Sequence, residues 1–101
     1  MSFARDTSSV GQSAVVSLAA TNGVTHIIEQ MSASYSGSGF GNIVVEDVGG
    51  EGVLFDVGIS SASSPVHFPY GFAGTTSKEL KITVSGVSLL TSKVNVWYHD
   101  A

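Results

Sequence analysis

Residues 25–47 read THIIEQMSASYSGSGFGNIVVED. Apolar residues alternate with polar ones on both sides of Ser36-Gly37-Ser38-Gly39-Phe40-Gly41-Asn42, and a period of two belongs to extended chain. The glycines supply the positive-φ conformations of a tight turn. This stretch therefore predicts two β-strands joined by a glycine-serine turn, paired as a hairpin around which the remaining chain is organised. Its first strand carries an irregularity. Ile28, Met31, Ala33 and Tyr35 share one face only if an extra residue is inserted near Glu29 or Gln30, so a β-bulge is expected there. Without it Glu29 would lie on the apolar face beside Ile27 and Met31, which is costly for an unpaired carboxylate.

Outward from that stretch the same period recurs. Ala14, Val16 and Leu18 mark a strand within 13–20, and Asn22-Gly23 is a strong turn signal. After Ile43 and Val45, Gly49 to Gly52 form a turn; Val53, Phe55, Val57 and Ile59 then give the clearest inward face. A small polar loop over 60–64 leads to Val66, Phe68 and Tyr70, where Pro69 marks an edge strand because proline cannot donate to a ladder. Following a glycine-threonine loop over 71–77, Leu80, Ile82 and Val84 alternate, and then Val94, Val96 and Tyr98. No window carries the spacing of an amphipathic helix. About seven short strands divided by turn chemistry predict an all-β fold, an antiparallel β-sandwich of jelly-roll-like type. Residues 1–12 are small and polar and are expected to form a flexible N-terminal arm, leaving 13–101 as a single sandwich domain.

The chain has 101 residues, enough for one domain. Only 12% are charged, well below the roughly 25% of typical globular chains. So uncharged a surface favours association. Net charge is −4, and the four cations Arg5, Lys78, Lys81 and Lys93 are dispersed, so no nucleic-acid partner is expected. Cysteine is absent, which removes disulfides and thiolate chemistry. No apolar run approaches the ~20 residues of a membrane-spanning helix. The N-terminus lacks a basic start followed by an apolar core, so no cleaved signal is expected.

The candidates for chemistry have structural readings beside them. His26, His67 and His99 fall on three predicted strands, and nothing in their spacing makes them converge with Glu29 or Asp100. Solvated or rim histidines are expected, with no metal and no cofactor. Glu46, Asp47, Glu51 and Asp56 flank one turn but lack the calcium-loop pattern, which suits a charged hairpin end. Gly37, Gly39 and Gly41 precede a strand and not a helix, so they do not cradle phosphate. No serine sits in a nucleophile elbow, and no enzymatic activity is expected.

Trp97 stands apart. The alternation that buries Val94, Val96 and Tyr98 turns it outward with Lys93 and Asn95. It is either an interface anchor or a side chain covered by its own chain. Val44 and Leu54 also point outward on their strands, and the arm brings Phe3 and Arg5, so the candidate interface comprises Trp97, Leu54, Val44, Lys93, Phe3 and Arg5.

Three passages, His26-Ile27-Ile28 leading to Ser32-Ala33-Ser34-Tyr35-Ser36-Gly37, then Gly52-Val53-Leu54-Phe55-Asp56-Val57, and finally Gly86-Val87 with Ser92-Lys93-Val94-Asn95-Val96, resemble small all-β proteins of tailed-phage virions. That resemblance implies a structural protein on the capsid surface of a virion. It would be a decoration or cement protein that binds the major capsid protein, or another virion protein, as a homotrimer and stabilises the assembled shell by mass action. The alternative is a carbohydrate- or receptor-binding sandwich module of tail-tip or fibre type, with Trp97, Tyr70 or Phe72 stacking on a sugar ring.

Overall fold

A computed structural model describes residues 1–61, 65–69 and 71–101. Among them nine strands follow in order: β1 Ser2–Thr7, β2 Ala14–Leu18, β3 His26–Tyr35, β4 Gly39–Val48, β5 Gly52–Ser61, β6 Val66–Phe68, β7 Phe72–Ala73, β8 Glu79–Val84 and β9 Ser92–Asp100. They form two antiparallel sheets packed as a sandwich. The five-stranded sheet has the order β1-β9-β3-β6, with β7 also on β3, and the four-stranded sheet runs β2-β8-β4-β5. The expected all-β sandwich is therefore the observed fold. Two strands exceed the expected number, β1 and the short β7.

The central expectation about residues 25–47 needs correction. β3 and β4 are both strands, but they do not pair: β3 bonds β9, β6 and β7, whereas β4 bonds β5 and β8. The Ser-Gly segment between them carries the chain from one sheet to the other. Alternation defines which side of a strand is apolar, and two apolar sides can meet face to face across a core as well as side by side in one sheet. Here Met31, Ala33 and Tyr35 face Ile43 and Val45 through the shared core, all of them buried. The expected bulge is present, since the β3–β9 register shifts between Ile28 and Gln30 and leaves Glu29 as the extra residue.

The expected flexible arm is also corrected. Residues 2–7 are β1, paired with β9 from Ser2↔Tyr98 to Thr7↔Lys93. As an edge strand it needs a ladder on one side only, so weak apolar alternation suffices; Ala4 packs on the core and Phe3 lies on the Trp97 ring. The following residues are tied down too, with Ser8 N donating to Ser92 O and Gly11 N to Leu90 O, each at 2.8 Å.

At the opposite edge of this sheet, β6 and β7 share one side of β3. Pro69 follows β6, as an edge position allows. Between the two short strands the chain runs so close to the β3 bulge that a Cβ on Gly71 would stand 2.5 Å from Ile28 O. A second bulge corrects the reading of β5. Its register with β4 shifts between Val45 and Glu46, with Leu54 the extra residue. Val53 is therefore 60% exposed instead of inward, while Leu54, Phe55 and Val57 pack against the core. Phe55 meets Phe68 edge-on at 5.7 Å and Phe72 at 4.9 Å between centroids, closing that side of the sandwich with aromatic contacts.

Candidate functional site

The register of the five-stranded sheet decides which side chains share its outer face. Directly opposed residues of an antiparallel pair point the same way. Phe3, Trp97 and Gln30 therefore form one row across β1, β9 and β3. A second row holds Arg5, Asn95 and Ser32, continued on β6 by His67. Thr7, Lys93 and Ser34 make the third. Of the six candidate interface residues, Trp97, Phe3, Arg5 and Lys93 are thus brought onto one surface.

The other two are not. Val44 lies on the outer side of the four-stranded sheet, between Asp56 and Thr83, and cannot join a patch with Trp97. Leu54 packs inward at its bulge. Phe72 belongs to the aromatic contacts inside the sandwich, and Tyr70 lies outside the described residues.

Trp97 is covered in part by its own chain. Its ring is half-buried, tilted 48° to Phe3 with centroids 5.0 Å apart, and Phe3 remains 49% exposed. The pair offers an apolar step beside the polar Gln30 and Asn95. Beside it, Asn95 Nδ2 donates to Ser32 Oγ at 3.1 Å. Ser32 and Ser34 stand in outward-facing register yet are nearly inaccessible. At the Lys93 end an open cavity of about 260 Å³ is lined by Thr7, Ser34, Tyr35, Ser36, Thr91 and Lys93. Tyr35 points its hydroxyl away from it, donating to Ser85 O at 3.0 Å. Gln30, Asn95, Ser32 and Thr7 went unremarked as a group because only the strand register assembles them.

The histidines divide into unlike roles. His67 is exposed on the face described above, and His99 Nδ1 stands 3.5 Å from Glu29 Oε2 at its far end. His26 is buried, contrary to the expectation of a solvated or rim position. Its Nδ1 lies 2.7 Å from Asp100 Oδ1 and its Nε2 2.7 Å from the Ala19 carbonyl. Both partners can only accept. Burial alone would lower the His26 pKa, but these two bonds favour the doubly protonated ring and raise it above 6.5. Among the described residues no group of three or more metal-ligating side chains is placed to hold an ion.

Nor is the acidic turn a solvated hairpin end throughout. Asp47 is 1% exposed and accepts from Glu51 N at 2.8 Å, Thr75 N at 3.1 Å and Thr75 Oγ1 at 2.5 Å. Burial would raise its pKa, but these bonds, with Lys78 nearby, hold it below the usual 3.8. The carboxylate ties the β4–β5 turn to the loop before β8. Gly50 makes room for it, since a Cβ there would overlap the Asp47 carboxylate and the Thr75 hydroxyl.

No family model matches the chain, and no curated protein does. Among solved structures it is similar to one described as "CBM4 structure and function", with a TM-score of 0.51 and 15% identity over 96% of this chain and 82% of that one. At this identity the likeness speaks to fold: both are β-sandwiches of jelly-roll type.

Proposed function

We propose that this protein is a non-catalytic carbohydrate-binding β-sandwich, with the outer face of the five-stranded sheet as its glycan surface. The observation that carries the reading is the Trp97–Phe3 step, set in one row with Gln30 and beside the row that holds Asn95. A pyranose ring has an apolar face of C–H groups and a rim of hydroxyls. Indole and phenyl rings suit the first, and amide and hydroxyl side chains suit the second. The neighbour of like fold is a carbohydrate-binding module, which supports the same class. The arm expected over residues 1–12 is tied into this same sheet as β1, and no observation supports a capsid-decoration role.

A glycan array followed by calorimetry on its strongest hit tests the proposal. Trp97→Ala should weaken binding about ten- to hundredfold, the effect of losing ~1.5–3 kcal/mol of aromatic burial. Lys81→Gln, on the opposite sheet beside Glu46, should leave it unchanged. An empty array, or a hit indifferent to Trp97→Ala, removes this surface from consideration.

A further inference from the structure

The charge on this face runs against that of the whole chain. Eight Asp and Glu outnumber four Lys and Arg, yet two of the four cations, Arg5 and Lys93, stand in adjacent rows of the outer face. Both are exposed. Among the described residues neither has a carboxylate oxygen within 4.0 Å.

The carboxylates are engaged elsewhere. Asp6 turns the other way on β1 and accepts from Val15 N at 2.8 Å. Asp47 is buried in its own hydrogen bonds, and Asp100 serves His26. Glu46 lies near Lys81 on the opposite sheet, where Glu79 meets the Ser17 hydroxyl. Asp56 accepts from Asn42 Nδ2 on that sheet's β5 edge, and Glu51 lies in the β4–β5 turn. Glu29 alone borders the glycan face. It sits at the β3 bulge, at the end away from Lys93, beside His99.

The face is therefore polar along its length: cations at one end, an aromatic step further along, and a carboxylate at the limit. Lys93 and Trp97 are four residues apart on β9, roughly 13 Å along an extended strand, so both can be met by one oligosaccharide but not by a single ring. A neutral glycan laid over Arg5 and Lys93 would strip water from two cations and return no charge to them. An anionic group reverses that balance, because guanidinium and ammonium bind carboxylate or sulfate through charge-assisted hydrogen bonds. The cavity beside Lys93 is rich in hydroxyl side chains, which can add hydrogen bonds to such a group.

We infer that the ligand of this face is an anionic oligosaccharide, its carboxylate or sulfate held by Lys93 and Arg5 at the mouth of the Thr7–Ser34–Lys93 cavity while another ring lies on Trp97 and Phe3. The inference rests on the glycan-binding reading above and adds the charge and direction of the ligand.

An array carrying neutral, carboxylated and sulfated oligosaccharides tests it, followed by calorimetry on the best anionic hit and on the same glycan with its carboxyl methyl-esterified or its sulfate removed. The anionic form should bind at least tenfold more tightly, and the advantage should shrink as salt is raised. Lys93→Gln and Arg5→Gln should each weaken the anionic form about three- to tenfold and spare the neutralised one, while Trp97→Ala weakens both. Equal affinity for the two forms, or an anionic hit insensitive to Lys93→Gln and Arg5→Gln, overturns the inference and leaves the glycan-binding reading standing. Failure to bind any of the three classes overturns both.

Discussion

Replacing Asp47 with alanine should cost about 3–5 kcal/mol of folding stability. The side chain is almost fully buried and accepts three hydrogen bonds, from the amides of Glu51 and Thr75 and from the Thr75 hydroxyl. A bond to a charged group contributes ~1.5–3 kcal/mol, and a buried donor left without a partner costs ~1–3 kcal/mol. Three bonds on two oxygens are not independent, which places the total near the lower part of their sum. That is a large share of the ~5–15 kcal/mol expected for a domain. Asp47→Asn keeps one acceptor and should lose about half as much. Gly50→Ala removes no bond but drives a methyl into the same space, at about 1–3 kcal/mol.

Urea titration followed by the emission of Trp97, the sole tryptophan, measures all three variants. The sign with pH follows from the lowered pKa. The Asp47 contribution is present above the unfolded carboxylate value near 3.8 and is lost as pH falls through the lower folded value. Asp47→Asn should therefore flatten the acid limb of the stability curve. A cost below ~1 kcal/mol for Asp47→Ala would refute the reasoning, because donors cut off from water could not tolerate the loss so cheaply.

His26 should act in the opposite sense. With its folded pKa raised, its contribution is complete below about 6.5 and is lost as pH rises through the folded value; urea midpoints across pH 5–9 should show a decline that His26→Gln abolishes. Deleting residues 1–7 should uncover Trp97 and the β9 edge, seen as a red-shifted emission and as concentration-dependent association in light scattering. Leu89 has φ of 69° and is 85% exposed, so Leu89→Gly should raise the urea midpoint by the equivalent of about 0.5–1 kcal/mol.

How far the sequence could be read depended on whether a feature was local. Leu80, Ile82 and Val84 announce an inward face by alternation alone, and all three are buried. The bulge at Glu29 is legible because a carboxylate in an apolar row has no cheap alternative. The bulge at Leu54 is not, since Val53 and Leu54 are both apolar and either could face inward. The partnership of β3 and β4 was misread because alternation says nothing of which strand lies alongside. Half of the outer face of the five-stranded sheet shares this difficulty. Trp97, Asn95 and Lys93 follow from β9 by counting in twos, whereas Phe3, Arg5 and Thr7 join them only through the pairing of residues that lie some ninety positions apart.

That pairing also bears on how the molecule comes into being. β9 holds the interior of its sheet, with β1 on one side and β3 on the other, so neither neighbour has its principal partner until β9 has been synthesised. The four-stranded sheet draws on residues no later than Val84 and contains the β4–β5 hairpin, the sole bonded pair consecutive in the chain among the described strands. Vectorial folding from the ribosome would thus start with that hairpin and its sheet, holding the five-stranded one open until β9 slots between β1 and β3. Of the two sheets the five-stranded one is completed second, so the proposed glycan surface forms only on a sandwich whose other half already has all its strands.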